Sequence, residues 1–425
     1  MLEVLRERNF RLLWLGQATS AFGSSLVPVA LAFAVIDLTG SPSALGLVLS
    51  AGLVSRVCLL LLGGVVADRL PRQHVMIASD ALRATTQGVV ALLLLTGTAH
   101  VWDLLVLFAL FGAGDAFFSP ASTGLVPATV SPARLQQANS LMGIGRDAAR
   151  VSGPALAGLI VAGVGPGAAF AIDAATFIVS CASLALLHLP SAARVGERPR
   201  LLADLRGGWD ELLSRSWAWL MILKFSVSSL AIAPFFVLGP FVAQHELGGA
   251  AAWGAIGTSG AVGAVLGNLI AFRVRPSRPL FTGCLGVSLY ALAPALLARP
   301  FPTSAIAAAA AIGFGAVGFS DTLWFTALQE RIPPQALSRV SSYDWLGSLA
   351  LQPVGYALAG PIAATIGISA TLLVGAGIQA SSSIGIALTP AVRGLRVKGN
   401  PEPEVGGRPR AKSEVGPVSA KGSGS

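Results

Sequence analysis

The chain has 425 residues, of which 54% are hydrophobic and 12% are charged, and its formal net charge is +9. A soluble domain carries about 25% charged residues, so this composition excludes an ordinary water-soluble protein. A helix crossing the bilayer core needs ~20 apolar residues, and such stretches fill most of the chain. We therefore expect an all-α polytopic membrane protein.

Twelve apolar spans can be drawn along the sequence. The first six cover residues 10–37, 43–66, 75–97, 101–130, 134–162 and 167–188. The last six cover residues 217–243, 251–272, 279–298, 303–331, 336–364 and 367–389. This pattern predicts two six-helix halves with a linker and a tail, at residues 1–188, 189–216, 217–390 and 391–425. The linker is predicted to hold an amphipathic cytoplasmic helix, a plain tether being the alternative, and the Gly- and Pro-rich tail is predicted to be disordered and cytoplasmic.

A fixed offset of 202 residues relates the two halves. Gly153, Gly158 and Gly165 recur as Gly355, Gly360 and Gly367. We interpret the chain as two diverged copies of one helical unit, forming pseudo-symmetric halves. Repeated membrane units can rock against each other around a central site, which is the physical basis of alternating access.

The basic residues outside the predicted spans lie on one side of the membrane, with the exception of Arg299. Because cytoplasmic loops carry an excess of Lys and Arg, both termini are predicted to be cytoplasmic. The same distribution favours contact with the anionic lipid of the bilayer over a nucleic-acid partner.

The turn after the second span has the sequence GGVVADRLPRQ over residues 63–73. It resembles the signature of the major facilitator superfamily between helices 2 and 3, with matches at Gly64, Asp68, Arg69 and Arg72. The resemblance implies a major facilitator fold in which Asp68 is a conformational latch that meets the N-terminus of helix 11. The alternative is a solvated turn without a coupling role.

The fifth span carries Gly153, Pro154 and Gly158, a pattern similar to the glycine-proline motif in helix 5 of the family's antiporters. This resemblance favours export over import, whereas a simple packing motif is the alternative. The segments Asn9–Trp14, Ser119–Ala121 and Gly207–Trp209 resemble the exporter subgroup that includes the enterobactin exporter and macrolide efflux proteins.

Ionisable side chains within membrane spans are costly, so each is a functional candidate. The spans contain Arg56, Arg83, Arg146, Arg150, Lys224, Asp80, Asp115, Asp147, Asp173, Asp321 and Asp344. A spacing of three allows ion pairs between Asp80 and Arg83 and between Asp147 and Arg150. Arg56 and Arg146 have no such local partner and either pair with Asp115 across helices or face an anionic substrate. Lys224 is near enough to the membrane surface for its side chain to snorkel.

The resemblance places helices 1, 4, 7 and 10 around the transport cavity. Asp115 in the fourth span is therefore our first candidate for proton coupling, and Asp321 in the tenth span is the second. The predicted substrate and proton pathway comprises Asp115, Arg56, Arg146, Asp147, Arg150 and Asp321. Each carboxylate has a structural ion-pair role as its alternative.

These observations predict a secondary transporter, and not an enzyme, in the bacterial plasma membrane. The expected activity is proton-coupled efflux of a small hydrophobic compound, such as a drug, antibiotic, siderophore or metabolite. The sequence contains no phosphate-binding loop and no metal-ligand pattern, so no cofactor is expected. A proton gradient is expected to supply the energy for transport. The protein is expected to act as a monomer. The alternatives are a proton symporter or importer of the same fold, and a transport-inactive membrane sensor or partner protein.

Overall fold

The computed structural model describes residues 2–188, 209–210, 212–299 and 301–396. Every regular element among these residues is helical. Most of the predicted linker helix, and the predicted disordered tail beyond residue 396, lie outside the described residues. The linker and tail assignments therefore stay predictions.

The predicted all-α fold with twelve spans is confirmed for the described part of the chain. The first half contains α1 (Arg8–Thr39), α2 (Pro42–Arg69), α3 (Arg72–Thr96), α4 (Val101–Leu125), α5 (Leu135–Val164) and α6 (Pro166–Ala185). The second half contains α7 (Ser216–Val242), α8 (Ala250–Arg273), α9 (Pro279–Val287, Ser288–Ala291 and Leu292–Leu297), α10 (Thr303–Arg331), α11 (Pro334–Ala350 and Gln352–Ile366) and α12 (Ile368–Leu388). A short helix, α13 (Pro390–Arg393), follows.

The helix α3 differs from the other spans in its polarity. Eleven helices of the described residues are long and apolar enough to cross a membrane, and α3 is not among them. Its polar residues Asp80, Arg83 and Gln87 are buried, because α3 packs between α4 and α6. A helix can cross a bilayer with such residues when they face the interior of the bundle.

The sequence repeat reappears in the backbone. Gly165 joins α5 to α6 with φ 85° and ψ 167°, and Gly367 joins α11 to α12 with φ 87° and ψ 157°. A residue with a side chain rarely adopts such a positive φ, so glycine is required at both turns. Two turns related by the repeat therefore have nearly the same conformation.

The two halves meet at one end of the bundle and separate towards the other. We call the end with Arg69, Arg72 and Arg273 the basic end, and the opposite one the far end. At the far end one hydrophobic core includes residues of both halves, such as Phe33 of α1 and Phe235 of α7. At the basic end each half has its own core. The bundle is therefore closed at the far end and open at the basic end.

Two helix pairs form the closed contact, α2 with α11 and α5 with α8. The Ser50 hydroxyl donates a hydrogen bond of 2.8 Å to the carbonyl oxygen of Pro353. The amide of Ala155 donates one of 2.9 Å to the hydroxyl of Thr258. We call these four residues the far-end seal.

Candidate functional site

Four helices of the first half are joined by a chain of polar side chains, which we call the charge chain: Arg56, Asp115, Arg83, Asp80 and Ser180. Arg56 Nε of α2 lies 2.9 Å from Asp115 Oδ2 of α4. The other carboxylate oxygen of Asp115 lies 3.4 Å from Nη1 of Arg83 in α3. Arg83 also pairs with Asp80, whose second oxygen accepts a 2.6 Å hydrogen bond from Ser180 of α6. Positive and negative groups thus alternate across the bundle.

The charge chain runs from an accessible end to a buried one. The side chains of Arg56 and Asp115 are 44% and 22% exposed, whereas those of Arg83 and Asp80 are 6% and 0% exposed. The Arg83 guanidinium also lies 4.0 Å and 4.5 Å from the ring centres of Phe118 and Phe177. Aromatic faces stabilise a cation in such a position. Within the charge chain, Asp115 is the carboxylate that pairs with two arginines. A proton on Asp115 would therefore weaken both ion pairs.

Two of the ion pairs considered from the sequence form in the structure, and one does not. Arg56 pairs with Asp115 across helices, and Asp80 and Arg83 pair along α3. The spacing also allowed a pair between Asp147 and Arg150, but that prediction is wrong, since both side chains are exposed and the structure gives no ion pair between them. The role of Ser180 was missed, because nothing in the sequence links it to a residue 100 positions away.

A second buried carboxylate, Asp173 of α6, is held by neutral donors. Its oxygens accept hydrogen bonds of 3.2 Å from Ser24 of α1 and 2.8 Å from Gln87 of α3. Asp173 is 0% exposed, and a side chain on Gly23 would lie 2.7 Å from its Oδ1. Gly23 therefore allows α1 to approach α6 closely. The adjacent Gly23 and Ser24 were the available sequence signal for this contact.

The second half has its own buried charges, separate from the charge chain. Lys224 of α7 is 1% exposed, so the prediction that it snorkels is wrong. Its Nζ lies 4.4 Å from the ring centre of Phe225. Asp344 of α11 accepts hydrogen bonds of 3.0 Å from Trp324 and 3.4 Å from Ser348. Asp115 of α4 and Asp321 of α10 belong to different halves.

The predicted latch motif lies at the basic end, where the halves are apart. Asp68 is the penultimate residue of α2. The structure describes its backbone but not its side chain, so the latch stays a prediction. Arg72 donates a 2.7 Å hydrogen bond to the carbonyl of Gly124 at the end of α4, and Arg69 is exposed. A side chain on Gly63 would strike the backbone of Ala116, whereas one on Gly64 would meet nothing within 4 Å. Close packing in this structure thus needs Gly63 and not Gly64.

The motif of α5 lies at two different contacts. A side chain on Gly153 would strike Ser25 of α1, within the same half. One on Gly158 would lie 2.6 Å from the carbonyl oxygen of Ala250 in α8, across the two halves. The Pro154 backbone approaches Gly254 of α8. The last two contacts adjoin the far-end seal.

A small recess lies between α1 and α5. It is lined by Trp14, Gln17, Ala18, Met142 and Arg146. Arg146 is exposed, and no acidic side chain of the described residues lies within ion-pair distance of it. The structure thus brings Arg56 and Asp115 together but leaves Arg146 at a separate position.

Comparison with known proteins places these features in context. Residues 13–346 match the family model described as Major Facilitator Superfamily. Macrolide efflux protein A of Streptococcus pyogenes is 24% identical over 374 residues, which cover 85% of this chain and 91% of that protein. The multidrug efflux pump Tap of Mycobacterium tuberculosis is 27% identical over 371 residues, which cover 83% of this chain and 87% of that pump.

Solved structures share the fold at low sequence identity. The nucleoside transporter NupG has a TM-score of 0.70 and 14% identity, covering 89% of this chain and 98% of its own. A bacterial homologue of the human lysosomal transporter Spinster, solved in an inward-facing and unoccupied conformation, has a TM-score of 0.67 and 15% identity, covering 91% of this chain and 95% of its own.

Proposed function

The chain belongs to the major facilitator superfamily and is a multi-pass membrane transporter, and we propose that it exports a small hydrophobic compound in exchange for protons. The observation that carries the proposal is the opening of the bundle at the basic end, with Asp115 and Arg56 of the charge chain partly accessible. Closure at the far end and opening at the basic end is one of the two states that alternating access requires.

The orientation of the protein decides which compartment the opening faces. We propose that both termini and the basic end are cytoplasmic, because Lys and Arg are concentrated there. The open state then receives its substrate from the cytoplasm. By the sources of its relatives, the membrane is proposed to be the plasma membrane of a bacterium, and the transporter is proposed to act as a monomer. Reporter fusions at the two termini test this orientation, and termini on opposite faces would overturn it.

Export is supported by the efflux proteins among the relatives. Macrolide efflux protein A and the pump Tap align over more than four fifths of this chain. Their substrate classes suggest hydrophobic drugs and antibiotics as the first compounds to test.

Asp115 remains our first candidate for the proton site. When Asp115 is ionised, its two oxygens hold Arg56 and Arg83 together. Protonation removes that attraction and frees Arg56, so the uptake of one proton can loosen α2 from α4 on the accessible side. Asp321 of α10 is the second candidate, and it would act within the other half.

Everted membrane vesicles with an acidic lumen test the proposed activity. Their exposed face corresponds to the cytoplasm, so an exporter should accumulate a macrolide or a fluorescent drug, and a protonophore should abolish the accumulation. Vesicles from cells without the gene give the background. A proton symporter would instead drive a preloaded compound out, and a sensor would bind the compound without moving it. Either result would replace the proposed function.

A further inference from the structure

We propose that the recess between α1 and α5 is a substrate subsite that binds the anionic group of an amphipathic compound. The proposal deepens the proposed function, on which it rests, by adding a charge requirement to an otherwise hydrophobic substrate. The recess is narrow: the space among its lining residues is about 180 Å³, and this includes open solvent at its mouth. A drug-sized ligand needs a larger pocket, so only one functional group of a substrate could enter the recess.

The polar groups of the recess leave donors without acceptors. The indole N–H of Trp14 donates to the carbonyl of Leu141 at 3.2 Å. The amide oxygen of Gln17 accepts a 3.1 Å hydrogen bond from Ser122. The Nε2 donor of Gln17 is buried without a hydrogen-bond partner, which costs free energy until a ligand or water supplies an acceptor.

The charge of the recess comes from Arg146. Its neighbour Asp147 is exposed and does not line the recess, because successive residues of a helix point about 100° apart. A free guanidinium beside a free amide donor matches a group with several acceptor oxygens, and charge-assisted bonds of this kind are the strong ones. Because the N–H of Trp14 is already hydrogen-bonded, its ring is available to contact a flat apolar part of the substrate.

The position of the recess fits the open state. Leu141 and Met142 belong to the core that lies within the first half alone, at the basic end. The core shared by both halves begins further along, at Leu26 in α1 and Ala157 in α5. The recess therefore lies in the first half, on the open side of the far-end seal.

The test uses pairs of flat compounds that differ only in charge, namely 2-naphthoate with 2-naphthamide and quinoline-2-carboxylate with its amide. Binding is measured by equilibrium dialysis on the purified full chain in nanodiscs of phosphatidylcholine. The wild type should prefer the anion of at least one pair by about tenfold, the effect of one charge-assisted hydrogen bond. Arg146→Gln should remove the preference for the anion, and Gln17→Leu should weaken binding of the anion more than binding of the amide. The control is Arg11→Gln, which replaces an exposed arginine of α1 outside the recess and should leave the preference unchanged.

Several results would overturn the proposal. They are equal binding within every pair, no binding of any pair, or an anion preference that survives Arg146→Gln in a protein of unchanged melting temperature. A second arm adds phosphatidylglycerol to the nanodiscs. Competition with naphthoate in the wild type, lost in Arg146→Gln, would assign the recess to a lipid headgroup instead. Dialysis needs no proton gradient, so a failure of export in vesicles leaves this measurement intact and distinguishes the two proposals.

Discussion

Arg56 and Asp115 form an ion pair of 2.9 Å between α2 and α4, and Asp115 is shared with the more deeply buried Arg83. The two arginines therefore contribute differently to the stability of the fold. Arg56 is 44% exposed and can be solvated without its partner, whereas Arg83 is 6% exposed and neutralises the fully buried Asp80.

We expect Arg83→Met to destabilise the protein far more than Arg56→Met. Removing one partner of a buried ion pair leaves an uncompensated charge and costs about 3–5 kcal/mol, whereas an exposed pair contributes about 0–1 kcal/mol. Thermal unfolding of the two purified variants checks the difference. The double variant Asp80→Asn with Arg83→Met should recover part of the loss, because it no longer buries a lone charge. Equal melting temperatures for both single variants would show that the burial gradient has no energetic consequence.

We expect Asp115→Asn to abolish proton-driven accumulation in everted vesicles while substrate binding persists. Asparagine has nearly the same shape but carries no negative charge and binds no proton, so the two arginines are no longer held by a titratable group. Asp103→Asn is the matched control, because Asp103 lies on the same helix and contacts only His100 at the start of α4, through a 2.8 Å hydrogen bond from the His100 amide and a 3.5 Å approach to its ring Nδ1. Full transport by Asp115→Asn would move the coupling role to Asp321 or elsewhere.

We expect Gly158→Ala to disturb the closure of the far end. The added methyl group would lie 2.6 Å from the carbonyl oxygen of Ala250 on the other half. Overpacking of this kind costs about 1–3 kcal/mol, which changes the ratio of two states by about 5- to 150-fold. Spin labels on the two halves at this end should report a longer distance. Gly163→Ala on the same helix has nothing within 4 Å and should behave like the wild type. An unchanged distance in Gly158→Ala would contradict the assigned contact.

We expect Gly63→Ala and Gly64→Ala to act on different properties. Gly63 lies against the backbone of Ala116, so a methyl group there should lower the melting temperature. Gly64 has free space around it in this state and should tolerate the methyl group without loss of stability. If the basic end closes over α2 during transport, Gly64→Ala should nevertheless slow transport. Normal transport by a stable Gly64→Ala protein would remove Gly64 from the proposed latch.

The number, order and approximate ends of the helices could be predicted from the sequence, because long apolar runs and a repeat leave strong signals. The repeat even extends to the glycine turns at Gly165 and Gly367. The open end could not be predicted in this way. It depends on a small free-energy difference between two packings of the same helices, and hydropathy carries no information about that difference.

The partners of the buried charges were only partly predictable. Spacing within one helix identified Asp80 with Arg83, but the same rule failed for Asp147 with Arg150, whose exposed side chains gain little from pairing. The contacts of Asp173 with Ser24 and Gln87 join residues far apart in the chain, so the spacing rule does not apply to them. The adjacent Gly23 and Ser24 mark the approach of α1 but do not identify Asp173 as the partner.

The polarity of α3 also bears on how the protein is made. Its side chains Asp80, Arg83 and Gln87 find their partners on α4 and α6, of which α6 is synthesised about a hundred residues later. Until then lipid is a poor environment for this helix, whereas the more apolar spans on either side of it enter readily. Insertion of the first six helices should therefore finish as one event, with α6 as the step that encloses the charges of α3.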